Sequence, residues 1–507
     1  LYNRGFYSAR ESSFNSNIAN GENGGGIHST GGNQDDIVDT LYQCIISDNH
    51  AYGTGGGLYL SSNQALHAVN TLISDNTTGV VDVNNGSGGG IQAANGAQAG
   101  YSNFINCTIA NNSALGTNSY GGGFRQTDGH YRFTNTIIWH NQAANSPNVY
   151  GSYDHVASNI GGDGTTLNTD PLFADMYNGD YRLSDYSPSI GTGTLDGAPT
   201  IDLDGNTRPQ PVATNPDMGA YENALGERLT GATYYVATTG SDSSNGQLST
   251  PFKTIQHGVD AAWAGDTVIV YPGTFAGHVD YEGKSIVLAS RILESGNEAY
   301  TDSTIIEGIV TINDGVDSTA LFSGFTITGD HNNRALNIYS DHNVTIEHVK
   351  VLGLGGVIIQ SAVATMRDVT IKHNEHSQQG GGLYISSSTV ALADVVIDSN
   401  TTTGSSGGGV YVNSSEVTMD SVYITNNISH YTGGGIDTYS NSTLTITNGS
   451  ITGNSTASNG GGIYNEEYCT LSLINVNVDS NTSNNHGGGL YNRGFYSARE
   501  SSFNSNI

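Results

Sequence analysis

Apolar and polar residues alternate along most of this chain in short runs that recur in step. The segments 366–374, 392–400, 419–427, 446–454 and 473–481 align without a gap. Their inward columns are Met366, Leu392, Met419, Ile446, Leu473 and then Ile371, Ile397, Ile424, Ile451, Val478. Alternation at a period of two predicts strands with one buried face. Identical phasing from segment to segment predicts that those strands stack. Each segment closes on an asparagine, Asn374, Asn400, Asn427, Asn454 and Asn481, and the column continues in Asn49, Asn76, Asn112 and Asn141. Stacked amides of this kind hydrogen-bond from one layer to the next.

Gly-Gly-Gly followed by an apolar residue starts at Gly24, Gly55, Gly88 and Gly121, and again at Gly380, Gly407, Gly433, Gly460 and Gly487. The second group is spaced by 27, 26, 27 and 27 residues, the first by 31, 33 and 33. Such glycines suit turns that need positive φ or a close backbone approach. The expected fold is an all-β solenoid with one coil per 26 to 33 residues. All nine prolines lie between Pro147 and Pro272, outside the triplet regions, as interior strands require. Phe252, Ile255, Val259 and Trp263 fall at helical spacing after Pro251 and predict a short helix capping the first coil.

Residues 1–18 (LYNRGFYSARESSFNSNI) recur identically as 490–507, an offset of 489. Counting Gly24 of a following period as 24 + 489 = 513 places it 26 residues after Gly487, so the coils stay in phase through the overlap. With an opening in mid-turn at Leu1, this leads us to expect slightly more than one period of a tandem polymer. The expected organisation is the second half of one β-helix (1–146), an irregular C-terminal cap (147–222) and an inter-unit linker (223–232). The N-terminal cap of the next unit (233–266) and the first half of its β-helix (267–507) follow.

Composition narrows the partners. The net charge is −30, from 46 acidic and 16 basic residues. Nucleic acid, which needs clustered Lys and Arg, is not an expected partner. Cys44, Cys107 and Cys469 make no disulfide framework. Cys44 and Cys107 share a column two coils apart, or roughly 9.6 Å, too far to bridge, and read as small buried hydrophobes. No apolar run is long enough to span a bilayer.

The opening 234–246 (YYVATTGSDSSNG) and the run 251–270 resemble the start of secreted right-handed parallel β-helix proteins of the pectate-lyase-like superfamily. Asp170-Pro-Leu-Phe173, Asp180-Tyr-Arg-Leu-Ser184, Ser187-Pro-Ser-Ile190, Asp202-Leu-Asp-Gly-Asn206, Arg208-Pro209 and Asp217-Met-Gly-Ala-Tyr-Glu222 resemble their usual ending. The Gly-Gly-Gly-(Ile/Leu)-Tyr coils are similar to those of bacterial surface members. The resemblance spans essentially the whole chain and implies a right-handed parallel β-helix, with lyases, hydrolases and adhesins among the activities. A lyase needs a basic residue to take a proton, with Ca²⁺ or other basic side chains neutralising the substrate carboxylate. Lys350, Arg367 and Lys372 are the candidates. The alignment, however, sets Glu347 beside Arg367 and His348 beside Asp368, which reads as cross-strand pairing. Asp35 and Asp36, adjacent on a strand, point to opposite faces and make a poor pair of glycosidase acids.

Asp202, Asp204 and Asn206 offer oxygens at alternating positions around a glycine, a candidate Ca²⁺ site that a plain Asx turn explains equally well. The loop 240–246 is a weaker version, and no other cofactor is expected. Tyr59, Tyr384, Tyr411, Tyr464 and Tyr491 follow the triplets and are predicted to point outward, a partial aromatic ladder open to carbohydrate or to a neighbouring filament. Asn-X-Ser/Thr triplets at Asn76, Asn400, Asn427, Asn454 and Asn481 follow from the periodicity of the column. The reading is a structural repeat unit of an extracellular or cell-surface filament, its partners being copies of itself joined head to tail. A surface adhesin binding carbohydrate through the Tyr face is the alternative, and a polysaccharide lyase comes third; no catalytic residue is assigned.

Overall fold

Each turn of the chain contributes four short strands separated by tight bends. In one coil these are Val410–Asn413, Glu416–Asp420, Tyr423–Thr425 and Ile428–Ser429. The bends at Ser414, Ser421 and Asn426 carry φ of 47°, 55° and 55°. Short polar side chains tolerate this left-handed conformation, which explains why Ser, Asn and Asp recur there. The computed structural model describes residues 1–507 apart from 5–6, 22, 31–37, 62–64, 81–85, 95–100, 165, 314, 329–332 and 354. It contains two compact units, Leu1–Leu229 and Thr230–Ile507. Among the described residues the second carries an 18-stranded, a nine-stranded and a five-stranded sheet; the first carries three six-stranded sheets, a four-stranded one and a two-stranded antiparallel one. The coil strands pair in parallel, so the fold is a parallel β-helix.

The columns read from the sequence are the register observed. Met366, Leu392, Met419, Ile446 and Leu473 lie directly over one another, as do Ile371, Ile397, Ile424, Ile451 and Val478. All are buried. Cys44, Cys107 and Cys469 are free and buried.

The asparagine column is a closed network. The backbone N–H and the side-chain Nδ2 of Asn427 both donate to Asn454 Oδ1 at 2.9 Å. Its Nδ2 also donates back to Ile397 O at 2.9 Å. Its own Oδ1 accepts from Asn400 N at 2.9 Å and Asn400 Nδ2 at 3.0 Å. Both amide hydrogens and both oxygen lone pairs are therefore used. Aspartate would lack the donors and serine the reach.

The glycine triplet answers the same stacking. Gly433 has φ +60°. A Cβ on Gly434 would fall 2.3 Å from Gly461 O of the next coil, and one on Gly435 would fall 2.6 Å from Gly462 O and 3.0 Å from Asn454 Nδ2. The third glycine thus makes room for the asparagine.

At the start of the second unit the expected helix is present but shorter, α1 (Ile255–Ala261). Thr254 caps it, its hydroxyl accepting from His257 N, and Ala262 turns extended. Phe252 lies before the helix, bridged to Val236, and Trp263 lies beyond it. α1 packs against the edge strand Thr233–Val236 and its neighbours.

The C-terminal segment of the first unit runs back along the flank of its own coils. Gln43 Nε2 donates to Asp202 O at 2.7 Å, Asn70 Nδ2 to Ile201 O at 2.5 Å and Asn106 Nδ2 to Asp217 O at 2.9 Å. Asn135 Nδ2 donates to Thr194 O at 2.8 Å. Outward-facing Ile45, Leu72 and Ile137 pack beneath Phe173, Tyr181, Ile190 and Met218. In the second unit the same outward column reads Thr370, Val396, Tyr423, Ser450, Asn477 and Ser502. Where the strap covers it the column is apolar except at Thr108, whose hydroxyl accepts from Ala220 N of the strap at 2.9 Å.

Replacing Asn427 by Ala is expected to cost about 3 kcal/mol, since it leaves buried amide groups of Asn400 and Asn454 without partners. Urea unfolding checks this; a loss below about 1 kcal/mol would mean that the column fills space without holding the coils.

Candidate functional site

The expected Ca²⁺ loop closes on itself. Asp202 Oδ1 accepts from Asn206 N at 2.7 Å, and Oδ2 accepts from Glu222 N at 2.9 Å and Asn206 Nδ2 at 3.2 Å. Asp204 turns away to Arg182 Nε at 2.8 Å. These are the bonds of an Asx turn, Asn206 presenting its N–H groups to Asp202. In the weaker loop, Asp242 accepts from Lys253 N and Thr254 N at 2.8 Å and so steadies the start of α1. Among the described residues no three or more His, Cys, Asp or Glu side chains are gathered for a metal.

The terminal motifs instead converge on one buried ionic cluster. Arg208 Nε donates to Glu222 Oε2 at 2.8 Å, and its other nitrogens donate to Asn70 Oδ1 at 3.0 Å and Gly219 O at 3.1 Å. Glu222 Oε1 accepts from Gln210 N at 3.0 Å; Asp217 accepts from Gly191 N and Asn223 N. The Arg208 and Glu222 side chains are fully buried. Burial, reinforced by Glu222, pushes the Asp217 carboxyl up to about 7. The cluster fastens the strap to Asn70. Arg208→Met, which strands buried carboxylates without their cation, is expected to cost about 3–5 kcal/mol. Limited proteolysis should then cut the strap while the coils resist; an equally resistant strap would disprove the fastening role.

The tyrosines stand outward in register: Tyr384, Tyr411, Asp437, Tyr464 and Tyr491 form one column. Tyr384 and Tyr411 stack at 5.7 Å and 8°, Tyr464 and Tyr491 at 5.2 Å and 7°. In the first unit Tyr2, His28 and Tyr59 form a column of their own, with His28 5.0 Å and 4.8 Å from its neighbours. The open platform expected from the sequence is corrected here, because Tyr411 and Tyr464 are only 9% and 8% exposed. Tyr439 stacks on Tyr411 at 6.4 Å. The Tyr464 hydroxyl donates to Glu466, which is held by Arg493 at 2.7 Å. Tyr59, Tyr384 and Tyr491 remain half-buried.

Asp437, which sequence reasoning missed, interrupts the column. It is buried and accepts from the Thr432 hydroxyl. Burial lifts its carboxyl from 3.8 to about 7. A raised folded-state value means the stability from this group is full below about pH 4 and is lost as pH rises to about 7. Relative to the native chain, Asp437→Asn should therefore gain thermal stability above pH 7 and gain none below pH 4. An unchanged difference in Tm at the two ends of this range would refute the assignment.

Of the candidate catalytic bases, the two lysines are each held in a separate ion pair. Lys350 pairs with Asp302, and Lys372 with Asp398 at 2.8 Å. Glu347 stands opposite Arg367 as expected, and His348 Nδ1 lies 2.7 Å from Asp368. Asp35 and Asp36 lie outside the described residues. A cavity of about 540 Å³, also missed, is lined by Arg334, Asn337, Ile358, Gln360, His376 and Tyr384 among others. Arg334 donates to Gly355 O, Gln379 O and Gly380 O and lies 5.9 Å over the Tyr384 ring. Burial lowers Arg334 to about 10; burial and Arg334 together lower His376 to about 4. Its signal was a broken pattern: Asn333-Arg334-Ala335 stands in register where a later coil has Gly380-Gly381-Gly382.

The recurring peptide contributes strands to a coil in both places. As the last coil of the second unit, Tyr491, Ala498 and Phe503 pair with Tyr464, Leu473 and Val478. Asn481 N and Nδ2 donate to Asn506 Oδ1 at 2.9 Å and 3.0 Å. As the first coil of the first unit, Tyr2, Ala9 and Phe14 pair with His28, Leu41 and Ile46. Asn17 N and Nδ2 donate to Asn49 Oδ1 at 3.0 Å and 2.8 Å. One copy uses the acceptor of the rung and the other uses its donors.

Residues 353–507 match the family model for a right-handed β-helix region. No curated protein matches the chain. Among solved structures, the pectate lyase Pel9A is 15% identical, with 54% of this chain and 80% of that one covered at a TM-score of 0.28. An open reading frame product of Geobacillus virus E2 is 13% identical over 53% of this chain and 62% of its own, at a TM-score of 0.26. A rhamnogalacturonan lyase is 11% identical over 54% and 87%, at 0.18. Among the described residues no helix is long and apolar enough to cross a membrane.

Proposed function

We propose that this right-handed parallel β-helix of the pectate-lyase-like type is a structural repeat of an extracellular or cell-surface rod, its units following head to tail. The observation that carries the reading is the recurring peptide. One sequence satisfies the asparagine rung, the apolar columns and the strand register on both of its faces. In such a rod the backbone hydrogen bonds run along the long axis and few strand edges stay exposed, which favours length and resistance to proteolysis.

A second reading, carbohydrate contact, is favoured by one feature. Tyr384 remains half-buried at the wall of the cavity, where the amides of Asn337 and Gln360 supply donors and acceptors. Glycan-array binding abolished by Tyr384→Ala would support it.

Electron micrographs of the purified protein should show unbranched rods, and uronate polysaccharides incubated with it should yield no unsaturated products. Discrete particles that release such products would replace the rod by a lyase.

A further inference from the structure

The cavity beside Tyr384 differs in charge from the rest of the chain. Its described lining includes Arg334, His278 and His376 but no Asp or Glu, although acidic residues outnumber basic ones 46 to 16 overall. His278 lies 3.7 Å from Asp280, which is not part of that lining. Arg334 pairs with no carboxylate among the described residues, whereas the buried Arg208 is held by Glu222. The downward shifts of Arg334 and His376 are what burial of a cation without a counter-charge produces.

The hydrogen bonds of Arg334 leave part of it unused. Nη1 donates to Gly355 O and Gly380 O, and Nη2 donates to Gln379 O. Those bonds take three of the five hydrogens of a guanidinium and fix the group in place. Nε–H and one hydrogen of Nη2 remain without an acceptor among the described residues. Donors on two neighbouring nitrogens make the two-pronged contact that an oxyanion accepts. The amides of Asn337 and Gln360 and the hydroxyl of Tyr384 line the same cavity and likewise make no hydrogen bond to the described residues. A volume of about 540 Å³ admits a sugar ring. One guanidinium supplies one counter-charge, and a net charge of −30 repels a run of carboxylates.

We infer that this cavity binds a single sugar residue bearing one oxyanion, a sulfate ester or a carboxylate, with the anion against Arg334 and the hydroxyl groups against Asn337, Gln360 and Tyr384. This rests on the carbohydrate reading of the cavity and names its ligand class. The cavity wall carrying Asn337, Ile358 and Tyr384 belongs to the nine-stranded sheet, whereas Lys350, Arg367 and Lys372 lie on the 18-stranded one. The anion supplies the counter-charge that the protein leaves out, and the hydroxyl groups engage amides that have no partner within the chain.

Calorimetric titration of the full chain with galactose 6-sulfate, glucuronic acid, galactose and inorganic sulfate tests this. At least one charged sugar should bind at one site per chain, about tenfold tighter than galactose, the scale of a charge-assisted hydrogen bond. Which of the two binds distinguishes sulfate ester from carboxylate. Gln360→Glu sets a second negative charge at the exposed rim and should erase the preference for the charged sugar, as should Arg334→Met. The rim variant carries the test if Arg334→Met does not fold. Galactose bound as tightly as both charged sugars, or a preference unchanged in Gln360→Glu, would overturn the anion site and leave the carbohydrate reading in place. Inorganic sulfate bound with no sugar, or no binding of any of the four, would overturn both.

Discussion

One constraint governs this molecule: each residue must lie about one strand spacing, some 4.8 Å, above its counterpart in the coil before. The asparagine column enforces it, because an amide that gives to the coils on both sides cannot be shifted by one residue without leaving buried groups unpaired. The adjacent glycine is a consequence, since the amide of Asn454 occupies the space a side chain on Gly435 would need. The left-handed bends follow as well, returning the chain to the same height at the same place in every coil. What resembles a loose polar composition is a set of positions each narrowed to one or two residue types.

That is why so much of the fold was legible. Repetition prints each contact several times, so Met366 over Leu392 and Asn400 over Asn427 could be read by laying segments beneath one another. Features made once were not legible. The course of the strap depends on contacts such as Arg208 to Asn70, separated by 138 residues and without a second example in the chain. The closure of the Tyr ladder depends on Tyr439 and Glu466, which lie off the column. A signal for the strap did exist in the apolar outward residues Ile45, Leu72 and Ile137, where alternation alone predicts polar ones. At the candidate cation site, Asp202 accepts from the backbone N–H groups of Asn206 and Glu222, the second of them 20 residues away and not legible from the motif.

Charge in this protein works mainly as joinery. Arg208 with Glu222 fastens the strap, Glu466 with Arg493 closes over Tyr464, and Lys372 with Asp398 links neighbouring strands. Lys350, too, is paired with a carboxylate, that of Asp302.

The strap also sets a rule for growth in the first unit. In the second unit the outward column mixes polar Thr370, Ser450 and Asn477 with Val396 and Tyr423, and near its start the helix Ala299–Ser303 packs beside it. In the first unit the strap spans fixed anchor points from Gln43 to Asn135, so an added coil would part the anchors by one spacing and leave the strap too short. The first unit is thereby a ruler of set length, its number of coils fixed by the strap that crosses them.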